Sequence, residues 1–238
     1  MSPQNISRPS RLDRWFFSAM GLAAAATVFA GFSGSFYLRG AALPPLAPLL
    51  IAHGIAFTSF VALFIIQAFF IATNRVEIHK KLGWVGAALA LLMVTLGMLA
   101  AIASLRLGRA PIPGLDPRTF FVVPMGDITM FALLLGAGIW FRAAAESHRR
   151  LMLLALIGLL DAAIARIPLH FIQAGGPPVF FALTDLFIFA GFAFDLITRR
   201  KIHPAFVWGG IALILSQPLR LVIGGTELWK GFAELFLH

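Results

Sequence analysis

The sequence predicts an all-α polytopic transmembrane bundle of about seven spans with a cytoplasmic N-terminus. Three observations predict it. Hydrophobic residues make up 60% of the 238-residue chain and charged residues 12%, against about 45–50% and about 25% in soluble domains. Runs of roughly 20 apolar residues recur, each long enough as a helix to cross a bilayer core. Lys and Arg gather in alternate connections between those runs, as the positive-inside rule requires.

The spans follow in chain order. They are expected at Trp15–Tyr37, Leu49–Thr73, Leu82–Leu105, Thr119–Phe141, Leu151–Ile172, Val179–Thr198 and Ala205–Gly224. Backbone inside lipid must satisfy its own hydrogen bonds, so runs this long are helices. Residues 1–14 form a cytoplasmic tail, 15–225 a single transmembrane domain and 226–238 a C-terminal tail. The first span also resembles a signal peptide, with Arg11 and Arg14 ahead of an Ala-rich run. Gly31–Tyr37 stays largely apolar, which favours a retained span. Pro44, Pro45 and Pro48 interrupt the first connection, and Pro111, Pro113, Gly114 and Pro117 the longest one. Gly175, Gly176, Pro177 and Pro178 predict a tight turn between the fifth and sixth spans.

Orientation comes from the cations. Arg8, Arg11, Arg14, Arg75, Lys80, Lys81, Arg142, Arg149, Arg150, Arg199, Arg200 and Lys201, twelve in all, fall on one side. Arg39, Arg106, Arg109, Arg118 and Lys230, five in all, fall on the other. The twelve mark the cytoplasm. The same distribution accounts for the net charge of +9 without a nucleic-acid partner, since no basic arm or RNA-reading motif accompanies it. The partner these patterns imply is the lipid bilayer. Cysteine is absent, which excludes disulfides, thiolate metal sites and c-type haem attachment, but not haem b.

Three basic connections each carry one His ahead of a span, at His79, His148 and His203. Asp127 precedes Arg142 by fifteen residues, and Asp185 precedes Arg200 by the same fifteen. These spacings suggest three related helical hairpins. The plainer explanation is that every hairpin needs positive charge inside. The three His either form an inner ligand set or sit wet at the interface.

Ionisable groups at membrane depth cost roughly 2.5–3.5 kcal/mol each on insertion scales, so they usually face protein or water and often mark function. Asp127, Asp161, Arg166, Asp185, Asp195 and Arg220 lie within the expected spans, with His53, His170, Gln67 and Gln217. Given alternating span direction, His53, Asp127, Arg166, His170, Asp185 and Arg220 converge on the outer third. Arg166 and His170 share a helix face at a spacing of four, as do Gln217 and Arg220 at three. Asp161 points away from His170 on a continuous helix and is expected in a separate contact. Asp195, near the inner end, is expected to pair with Arg199 or Arg200.

Two explanations compete for the convergent set. One is an outward-facing site that binds or transports a small polar solute or protons. The other is a purely structural network of ion pairs pinning helices together. His53 and His170 also admit axial ligation of a b-type haem, or a metal-dependent membrane enzyme with the neighbouring Asp residues. Phosphate-binding Gly loops, H-E-x-x-H and G-x-S-x-G are absent from the sequence.

His53-Gly54 with Phe57, Gln67 and Arg75, then His79-Lys80-Lys81-Leu82-Gly83-Trp84, resembles a set of uncharacterised bacterial multi-pass membrane proteins with His-basic-basic-Leu loop motifs. His148-Arg149-Arg150-Leu151-Met152, followed by Asp161 and Arg166, extends the resemblance. It implies a bacterial inner-membrane location and no particular activity. A weaker likeness is to b561-type membrane cytochromes, with paired His on neighbouring helices. The sequence departs from them, because His148 and His170 are 22 residues apart on one expected span, about 33 Å of helix.

Overall fold

The computed structural model describes residues 11–110 and 114–237, with side chains from residue 15. Arg8, Pro111, Pro113 and His238, and the side chains of Arg11 and Arg14, lie outside the described residues. The described chain is all-helical. It runs α1 Arg11–Phe32, extended by a π-turn at Ser33–Tyr37, α2 Pro48–Ala72, α3 Val76–Arg106 and α4 Pro117–Trp140. Then come α5 Ala145–Ile157, α6 Leu160–Ile164, α7 His170–Arg199, α8 Pro204–Gly224 and α9 Glu227–Glu234. Six helices are long and apolar enough to cross a membrane: α1 to α4, α7 and α8.

Local chemistry sets the boundaries. Pro48, Pro117 and Pro204 each stand in the first helical turn, where the missing N–H costs nothing. The Asp116 carboxylate accepts from Arg118 N–H at 2.9 Å, and His203 Nδ1 accepts from Ala205 N–H at 3.1 Å. Thr226 Oγ1 accepts from Trp229 N–H at 3.2 Å and so starts α9. Residues 226–238, expected as a tail, therefore hold a docked helix.

The expected fifth span, Leu151–Ile172, is not one helix. It is divided among α5, α6 and the first turn of α7. Gly158 and Leu159 keep right-handed backbone angles but form a turn after α5, with Leu159 N–H bonded back to Leu156 O at 3.2 Å. Pro168 then bars the helix from continuing, because it has no N–H and disfavours helical geometry at the residue before it. Helix resumes at His170. The expected turn at 175–178 is a kink inside α7 instead, pivoting on Gly176 at φ 58°, ψ −150°. Side chains other than hydrogen rarely tolerate that conformation.

The broken segment is the centre of the bundle. Leu153, Leu154, Ala155, Leu156, Ile157, Leu160 and Ala163 are at most 1% exposed. Helix α5 packs against α1, α4, α7 and α8, while α6 packs against α1 and α7. The outer ring runs α1–α2–α3–α4–α8–α7, and Phe16 of α1 stacks on Phe194 of α7 to close it. Helices α2 and α3 have the most apolar windows, with mean hydropathy 2.3 and 2.4, yet are the least buried. That is the pattern of helices whose apolar faces meet lipid. Trp84, Trp140 and Trp208 are each at least 74% exposed, beside the connections that carry the basic residues. Such a Trp girdle is characteristic of a membrane–water interface.

Candidate functional site

Arg220, on α8, is the hub of the intramembrane charges. Its guanidinium pairs with Asp127 of α4 and lies 3.7 Å from Asp161 of α6. Arg220 Nη2 also donates to Ser216 Oγ at 2.9 Å. The Asp127 and Asp161 carboxyls thus face one guanidinium, and Thr184 of α7 donates to Asp161. One turn along α8, Gln217 Nε2 donates to Asp185 of α7 at 2.9 Å. Asp127, Asp161, Gln217 and Arg220 are all at least 92% buried.

Gly126 makes the hub possible. A Cβ there would stand 2.5 Å from Arg220 Nε and 2.6 Å from Cδ. Only a glycine lets the arginine arm cross α4 on its way to Asp127.

The structure sorts the six residues singled out in the sequence. Asp127 and Arg220 meet directly, and Asp185 joins one residue away through Gln217. Arg166 stays exposed, with Nη1 donating to Ala162 O at 2.6 Å and its guanidinium 5.0 Å from the Phe32 ring centre. It remains within electrostatic range of Asp127 and His53. His53 is half-buried, stacks on Phe57 at 4.1 Å and faces the Leu96 backbone. His170 is exposed at the first turn of α7. With one imidazole packed between α2 and α3 and the other on the surface, the haem reading draws no support from their placement. Among the described residues, no three of His, Asp or Glu are gathered as a metal-ligand group.

Asp161, set apart by the sequence reading, belongs to the hub. The reading carried helical phase back from His170, and the phase is lost at 165–169. A second network was largely missed. Arg150 is fully buried, although its place in a basic cluster suggested a cytoplasmic charge. It bonds Asp195 of α7 through two nitrogens, one at 2.9 Å, and Glu146 Oε2 at 2.7 Å. Arg199 reaches the same Glu146 oxygen at 2.8 Å and lies 3.7 Å from Asp195, so the expected Asp195–Arg199 contact is a minor part of this network. His203 N–H donates to Asp195 Oδ2 at 2.9 Å. Burial works against the charge of Glu146, but the hydrogen bond from Arg150 and the charges of Arg149, Arg150 and Arg199 outweigh it. They hold the carboxyl below the ordinary glutamate range. The available signal was the spacing of four between Glu146 and Arg150, which puts an ion pair on one helix face.

No family model, curated protein or solved structure matches this chain.

Proposed function

We propose that this chain is a bacterial inner-membrane protein that crosses the bilayer seven times, N-terminus inside, and that the Arg220 hub binds and relays protons. The observation that carries the reading is the double engagement of Arg220 with Asp127 and Asp161 from two different helices. Arg166 and Arg220 supply two positive charges against three carboxyls at Asp127, Asp161 and Asp185. Neutrality at membrane depth then requires one proton on the carboxyls. Two carboxyl groups that share one guanidinium are a natural seat for it. Direct contact among these groups favours a proton over a larger solute.

The fifth crossing is the broken one. Leu151 to Leu169, 19 residues counted with the interruptions, comes close to the roughly 20 that a crossing needs. Glu146, at the start of α5, meets Arg199 at the end of α7. Arg166, just past α6, lies over Phe32 at the far end of α1. Both contacts support passage from one end of the bundle to the other. Helix α1 contributes Phe17, Met20 and Ala24 to the core, which supports its retention as a span.

The test is proton flux into liposomes carrying a trapped pH dye, driven by an imposed potential. Wild-type protein is expected to conduct, and Asp161→Asn to lose most of the flux while keeping its unfolding midpoint. Wild-type flux equal to that of empty liposomes defeats the reading. Hub variants that only lower stability then identify the cluster as a structural pin.

A further inference from the structure

His79 and His148 come from two different basic connections, yet the fold brings them together. Their ring centroids are 6.1 Å apart, with planes at 78°. His79 is in the first turn of α3 and His148 in the first turn of α5. Neither belongs to the Arg220 hub.

The hydrogen bonds of the two rings leave a particular pair of lone pairs. His148 Nδ1 is 2.8 Å from Gly138 O. A carbonyl only accepts, so Nδ1 carries the proton, and in the neutral ring Nε2 is left with a lone pair. The His79 ring faces the backbone carbonyl of Gln67, while its Nδ1 is buried with no hydrogen-bond partner. In the tautomer protonated at Nε2, Nδ1 presents a bare lone pair. Gln67 Oε1 is also buried without a partner. The Gln67 amide reaches α3 beside Gly83, one turn beyond His79, so two unpartnered buried atoms belong to this junction of α2 and α3, where buried polar groups normally find partners.

We propose that His79 and His148 bind one late first-row transition-metal ion (copper, nickel or zinc), with Gln67 Oε1 as an oxygen ligand. Imidazole suits these ions. A metal–nitrogen bond of about 2 Å on each side places two ligating rings with centroids on the order of 5–6 Å apart, so small ring movements suffice. His148 already gives Nδ1 to a backbone carbonyl, the arrangement that fixes tautomer and orientation in metal-bound histidines. Two imidazoles and one amide oxygen leave positions open to water, so the ion is held exchangeably at the basic end of the bundle.

The experiment uses tag-free, full-length protein in nanodiscs, titrated with Cu2+ and followed by electron paramagnetic resonance. One equivalent is expected, with hyperfine coupling to two imidazole nitrogens. Either His79→Ala or His148→Ala should weaken binding by about tenfold or more and remove one nitrogen from the spectrum. His53→Ala, His170→Ala and His238→Ala should leave it unchanged. As an independent readout, metal should raise the unfolding midpoint of the wild type, because it binds the native state. That rise should vanish in His148→Ala, which still makes the rest of the bundle if His79→Ala does not fold. Absence of specific Cu2+ binding in the wild type overturns the site. So does a spectrum that survives both His substitutions.

Discussion

Gly126 and Arg220 illustrate how a single hydrogen atom decides a contact. A methyl at residue 126 would overlap the Arg220 arm at 2.5–2.6 Å and push it off Asp127. Gly126→Ala is expected to lower stability by about 1–3 kcal/mol, the usual cost of overpacking. The penalty should shrink in an Arg220→Leu background, where the arm is gone. Reversible unfolding in mixed micelles measures both. Arg150 and Asp195 make a sharper case, since neither has any exposed surface. Removing one partner leaves a buried charge alone, so Arg150→Met should cost about 3–5 kcal/mol, and Arg150→Met with Asp195→Leu considerably less. Glu146 tunes the same network with pH. Its native carboxyl is held below the ordinary value, so its contribution is complete above the unfolded glutamate range of about 4.3. It is lost as pH falls through the lower native value. Glu146→Gln should flatten the acid side of the stability profile, and an unchanged profile would remove Glu146 from the account.

At the scale of elements, the kink and the break in the chain separate what could be read in advance from what could not. The ends of α2, α4 and α8 follow from apolar run length and from proline in the first turn, both local properties of the sequence. The meeting of Asp127 with Arg220 was foreseeable, because lipid penalises both and span direction puts them at one depth. Asp161 was not, because its direction depends on the interruption at 165–169, which periodicity smooths over. Arg150 was misread for a related reason. A basic cluster at a helix start looks solvated, and only the packing of α5 at the centre of the bundle reveals a buried guanidinium. The convergence of His79 and His148 is tertiary: their like positions ahead of two spans admitted an inner ligand set but did not single out this pair. Gly176 tests the kink itself. Its φ of 58° suits glycine, so Gly176→Ala should cost about 1–3 kcal/mol and loosen the first turn of α7. Hydrogen exchange should rise at residues 170–178 and stay unchanged in α2 and α3. Uniform exchange would mean the kink bears no strain.

For the molecule as a whole, the central question is whether α5 and α6 together carry the chain across the bilayer. Both networks support the proposed crossing, because they tie the two parts of this segment to different depths of the bundle. Glu146 and Arg150 bind α7 where it ends, while Asp161 meets α4 and α8 further along. A helix buried on every side need not look like a span, since its neighbours, rather than its own apolar length, keep lipid away. Asp and Arg are tolerated there because each faces the other. The chain contains no cysteine, so single cysteines can report sidedness against a blank background. Cysteines at Ala42, Leu107 and Leu169 should react with a membrane-impermeant maleimide in intact cells. Those at Thr73, Ala143 and Lys201 should react only after lysis. The decisive pair is Ala143 and Leu169, which flank the broken segment. Labelling of both from the same side would return the chain to six crossings, reverse the expected side of α7 and α8, and take the proton path out of the membrane interior.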